Sequence, residues 1–118
     1  MSVFLKRNID DLRNAKLWRS LLAEFIGTMV LVSIGCGTCI GEAWAEVTNP
    51  TMVQISLAFG LAVATVVWSI GHVSGGHINP AVTCAMLVAR KITAVRAFFY
   101  VISQASGAVA GAGILRGQ

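Results

Sequence analysis

From Val47 through Ala89 the chain carries no Asp, Glu, Lys or Arg. Such a run exceeds what one buried core element needs, and it dictates an apolar surrounding for much of the molecule. The whole chain of 118 residues is 56% hydrophobic and 12% charged, against about 25% charged in an ordinary soluble domain. A protein this small has too much surface to stay in water so uncharged. The reading is therefore an all-α integral membrane protein. Yet inside the charge-free run lies Gly71–Thr83, "GHVSGGHINPAVT", with two histidines, three glycines, an asparagine and a proline. Those residues break helices and need hydrogen-bond partners.

Three stretches are long enough to cross a hydrocarbon core of about 30 Å at 1.5 Å per residue. They are 20–40, with the single carboxylate Glu24, then 51–70, and 94–115, which ends in small residues with Gly107 and Gly111 in a G-x-x-x-G pattern. That pattern lets another helix approach closely in a membrane. Trp68 suits an interfacial anchor. Residues 1–19 place Leu5, Ile9, Leu12 and Lys16 at helical spacing, as expected of a short amphipathic segment on the cytoplasmic membrane surface.

Length and charge decide how 71–89 is used. Residues 79–89 would give a helix of about 16 Å, half the core thickness. The basic residues Lys6, Arg7, Arg13, Lys16 and Arg19 precede the first span, and Arg90, Lys91 and Arg96 follow the short one. If 71–89 enters the bilayer and leaves by the same face, both clusters lie on the cytoplasmic side, as the positive-inside rule expects. The connector with Glu42 and Glu46 then lies outside. The basic clusters thus orient the chain in lipid and give no support to nucleic-acid binding.

Irregular backbone at membrane depth is tolerated only where it is buried in protein or lines a watery cavity. Asn79 suits the N-cap of the half-helix and Pro80 its first residue. The helix start carries a partial positive charge of about +0.5, which repels cations. The Asn79 amide can donate a hydrogen bond, and the carbonyls of Gly75, Gly76 and His77 can accept them. Together they suit a neutral, hydrogen-bonding solute.

Other chemistry finds no footing. Cys36, Cys39 and Cys84 sit in apolar context and are expected as small packing residues, and the C-x-x-C lacks a second ligand pair. Asn49-Pro50-Thr51 is excluded as a glycosylation acceptor by its proline. No catalytic, metal or cofactor site is expected, and the chain is not read as an enzyme.

"SGGHINPAVT", Ser74 to Thr83, resembles the first Asn-Pro-Ala box of the aquaporins and glycerol facilitators. "AEFIGT" at 23–28, "ISLAFGLAVA" at 55–64 and the glycine-rich end of the last span resemble their first three helices. The resemblance implies one repeat of three transmembrane helices plus a re-entrant loop with a half-helix. It implies that Asn79, Pro80 and Ala81 form the pore motif, that the carbonyls of Gly75, Gly76 and His77 form an acceptor ladder, and that Phe59 stands in the selectivity constriction. It also implies Val63 as pore wall and Glu24 as loop support. His77 is expected to anchor the loop with its side chain. The family's second box, with the histidine and arginine of the constriction, does not occur in these residues, so the chain is expected to be the N-terminal half of a longer protein. The resemblance further implies a passive water channel in the plasma membrane, assembled as a homotetramer. The alternatives are a facilitator of glycerol or small neutral solutes, and a non-conducting truncated partner of full-length channels.

Overall fold

The computed structural model describes residues 1–40 and 50–117. The expectations for Glu42, Glu46 and Asn49 fall outside these residues. Five helices follow in order: α1 (Val3–Arg13), α2 (Ala15–Ile40), α3 (Met52–Ser74), α4 (Pro80–Val88) and α5 (Ala94–Arg116). Among the described residues there is no strand. The chain is an all-α integral membrane protein in which α2, α3 and α5 are each long and apolar enough to span a bilayer.

Each helix start is written in the sequence. Ser2 caps α1 by accepting from the Leu5 amide at 3.2 Å. Asn14 alone separates α1 from α2, and its Oδ1 accepts from the Lys16 amide at 3.0 Å. Thr51 and Gln54 form a reciprocal capping box on α3. Thr93 caps α5 by accepting from the Arg96 amide at 3.1 Å. These groups satisfy amides that a helix start otherwise leaves open.

The first span begins five residues earlier than the sequence suggests, because Ala15 to Arg19 continue the helix past the basic residues. The second runs four residues beyond 70. Gly71, His72, Val73 and Ser74, expected as loop, are its last turn. Neighbouring helices hold that turn: Ser20 Oγ donates to the Val73 carbonyl at 2.9 Å and Tyr100 Oη to the Ser74 carbonyl at 2.7 Å. The helix closes only at Gly75, whose φ of 90° is left-handed.

Helix α2 is central and packs on both α3 and α5. The α2–α5 approach depends on the expected small residues. A methyl group at Gly111 would lie 2.6 Å from the Met29 carbonyl oxygen, and one at Gly107 would overlap that of Phe25. The buried positions of α5, namely Ala97, Tyr100, Gln104, Gly107 and Gly111, recur at spacings of three and four. They form one seam facing α2 and α4.

Helix α1 docks differently from an ordinary amphipathic helix. Its one buried residue is Asn8, whose Oδ1 accepts from the Val95 amide at 2.9 Å. Asp11 pairs with Arg96 at 2.9 Å and accepts from the Thr93 hydroxyl. The apolar Val3, Phe4, Leu5 and Leu12 remain exposed. The three cysteines, expected to pack, also lie exposed on the helix faces of this chain. Trp68, expected at an interface, is 90% exposed.

Candidate functional site

The site is the turn between α3 and α4 with the short helix that follows. Its shape rests on Glu24, a carboxylate with no exposure at all in the middle of a spanning helix. Glu24 Oε1 accepts from Ser74 Oγ at 2.7 Å and from the His77 amide at 3.0 Å. Oε2 accepts from the Ile78 amide at 2.7 Å and from Gln104 Nε2 at 2.7 Å. Four donors from three parts of the chain converge on one ion. Burying a carboxylate is costly, and such a set of donors is what makes it tolerable.

Those bonds hold a backbone that would not adopt this path alone. Gly76 has φ 64° and Ile78 has φ 44°. A β-branched residue in that region is a clear outlier and costs on the order of 1–3 kcal/mol. The buried Ile78 amide, fixed on Glu24, opposes that cost, and the Ile78 side chain reaches toward Gly27 on α2.

His77 is buried, with its ring edge-on to Tyr100 at 5.1 Å and its Nδ1 3.0 Å from Thr83 Oγ1. Thr83 Oγ1 also accepts from Gln104 Nε2 at 3.0 Å. Its own proton is therefore free to serve the histidine nitrogen. The histidine side chain thus faces α4 and α5 within the protein.

Among the described residues the carbonyls of Gly75, Gly76, His77 and Ile78 receive no hydrogen bond. The next carbonyl, that of Asn79, accepts from the Thr83 amide at 3.1 Å and begins α4. Asn79 caps the helix, its Oδ1 accepting from the Ala81 amide at 2.8 Å. Its amide nitrogen makes no bond among the described residues, and Asn79, Pro80 and Ala81 are exposed. Pro80 opens a helix of nine residues, about 14 Å long and under half a hydrocarbon core.

On α3, Phe59, Val63 and Val67 lie four residues apart and so share one face. Phe59 lies over Gly35, where an added methyl group would sit 2.4 Å from its ring. At 36% exposure it is half in the α2–α3 seam and half open, while Val63 is 39% exposed. A methyl group on Gly76 would lie 3.3 Å from Val67 Cα. The row from Phe59 therefore ends at the loop.

The sequence reading passed over Ser74, Thr83, Tyr100 and Gln104, which hold the loop beside Glu24. The signal was present: continuing the Gly107 and Gly111 seam backwards at the same spacing lands on Gln104 and Tyr100.

The family model described as "Major intrinsic protein" matches residues 11–118. The chain belongs to the major intrinsic protein family. It is 50% identical over 101 residues to Aquaporin-4 of Mus musculus, covering 83% of this chain and 31% of that protein. To Aquaporin-5 of Homo sapiens it is 50% identical over 99 residues, 84% of this chain and 36% of that one. To the lens fiber major intrinsic protein of Rattus norvegicus it is 48% identical over 106 residues, 89% and 39%. The chain thus spans about a third of the length of the curated relatives it matches. As a member of this family it places its Asn-Pro-Ala box at the capped start of α4, beside four carbonyls without partners among the described residues.

Proposed function

We propose that this chain supplies one wall and one half-helix of a passive transmembrane water channel. The observation that carries this reading is the pairing at the loop: four carbonyls without donors among the described residues lead to an asparagine whose amide nitrogen has no partner among them. A water molecule needs acceptors and a donor along its path, and a positive helix end turns cations away. Irregular backbone of this kind is stable at membrane depth only beside water or protein. The row Phe59–Val63–Val67 supplies the apolar wall, and Phe59, taken as the constriction residue, favours water over glycerol. Glu24 acts as the brace of the loop. Residues 71–89 enter and leave by the cytoplasmic face, with the N-terminus also cytoplasmic, in the plasma membrane.

The molecule measures 61 × 26 × 19 Å, and 19 Å is less than two helix diameters. These helices alone therefore enclose no pore, and the conducting unit includes further protein, with a homotetramer as its assembly. The test is osmotic swelling of vesicles holding the whole protein that carries this chain. Water permeability above that of empty vesicles is expected, reduced when Asn79 is replaced by Leu. Permeability equal to empty vesicles overturns the reading. Impermeant labelling of Pro50→Cys and Lys91→Cys tests the topology, which requires that the two react from opposite sides.

A further inference from the structure

We propose that the cleft between α1 and the α4–α5 turn binds the phosphate of an anionic phospholipid from the leaflet at that end of the spans. The cleft is a cavity of about 380 Å³. Its wall is apolar, from Phe4, Leu87, Ile92 and Ala94, and its cations are Arg7 and Arg90. The remaining polar residues in it are already committed. Asn8 donates to the Phe4 carbonyl and accepts from Val95, and Thr93 caps α5 and donates to Asp11. The side chains of Arg7 and Arg90 make no hydrogen bond or ion pair among the described residues. The nearby carboxylate of Asp11 is bonded to Arg96 and attracts Arg7 without pairing with it. Two unpaired guanidiniums above an apolar cleft match a phosphate carried on an acyl chain.

Position selects a lipid over a free anion. Helix α4 ends and α5 begins at this turn, so the cleft lies at the end of a membrane span. Its lining includes exposed apolar groups, Val3 at 78% and Phe4 at 66%, which an inorganic ion would leave wet. Arg90 is held in place by backbone geometry. It sits at φ 59°, where its amide donates to the Leu87 carbonyl and that of Lys91 to the Met86 carbonyl, both at 2.9 Å. Helix ends of this form usually have glycine there. An arginine in that place projects its charge beside the cleft at some backbone cost. The inference rests on the spanning helices lying in a bilayer, and it stands whether or not the protein conducts water.

The experiment measures saturable binding of a short-chain phosphatidylglycerol to the whole purified protein in neutral detergent, by thermal shift and by native mass spectrometry. Phosphatidylcholine and inorganic phosphate are run beside it. Each of Arg7→Gln and Arg90→Gly is expected to weaken phosphatidylglycerol binding about fivefold. Arg90→Gly relaxes the backbone, so its unfolding temperature without lipid should be no lower than that of the unchanged protein. Replacing the exposed Arg19 by Gln should leave binding intact. Undiminished binding in both cleft variants overturns the proposal. So does an equal loss in Arg19→Gln, which marks a general basic surface. Inorganic phosphate competing at concentrations similar to the lipid overturns the lipid assignment in favour of a free-anion site.

Discussion

Replacing Glu24 by Gln tests whether one buried ion shapes the loop. The amide keeps an oxygen for Ser74 Oγ and the His77 N–H, which now donate to a neutral acceptor. That change weakens each bond by about 1 kcal/mol, the difference between charged and neutral partners. At the other position an NH₂ faces two donors, the Ile78 amide and Gln104 Nε2. Gln104 has a remedy: its Oε1 is buried without a partner, so turning its amide over offers an acceptor. Ile78 has none, and an orphaned buried N–H costs about 1–3 kcal/mol. Relief from burying a charge offsets part of the sum, leaving about 2–4 kcal/mol against the loop. Amide hydrogen exchange on the protein in a bilayer reads this directly, since local opening reports local stability. The His77 and Ile78 amides should exchange about 30- to 1,000-fold faster, while amides in the middle of α5 change little. Protection of both amides within threefold of the unchanged protein would refute the idea that Glu24 determines the loop.

Gly107→Ala should lower stability by about 1–3 kcal/mol through overpacking, because its methyl group meets the Phe25 backbone; detergent-induced unfolding measures it. Asn79→Ala removes the cap of α4 and should cost about 1 kcal/mol, read as faster exchange of the Ala81 amide. Asp11 titrates below its usual range: burial raises it, but hydrogen bonds from Arg96 and Thr93 and the charges of Arg96 and Arg7 outweigh that. Its contribution to docking α1 is therefore complete above the ordinary carboxylate pKa of about 3.9. It is lost as pH falls through the lower folded value. Proteolysis within α1 should accelerate in that acidic window, and Asp11→Asn should abolish the pH dependence. Acceleration beginning near neutral pH would contradict this assignment.

Much of the architecture was legible because the bilayer restricts the choices. Span lengths follow from hydrocarbon thickness, and Asn79-Pro80 announces a helix start by local chemistry alone. Glu24 was legible as a carboxylate too costly to bury without partners. The last turn of α3 was misread because Gly71, His72 and Ser74 have poor helical preferences. Those preferences are small beside the bonds from Ser20 and Tyr100 that hold the end of that turn. The left-handed Ile78 had no local signal. Nothing in its neighbours announces a φ of 44°, since the force that imposes it is a carboxylate 54 residues away.

The same contrast explains why the loop holds its form. In water an exposed turn of two glycines would sample many conformations, because each hydrogen bond to protein merely replaces one to solvent. With the loop at membrane depth, as proposed above, that exchange is unavailable, and an unmet donor costs far more. Glu24 from α2, Thr83 from α4, and Tyr100 and Gln104 from α5 therefore act on the loop as one network. The carbonyls of Gly75 through Ile78 are left out of it while the amides of Gly76, His77 and Ile78 are used up. From Gly75 to Ile78 the N–H groups turn to the protein while the carbonyls find no donor among the described residues, so this stretch is one-sided.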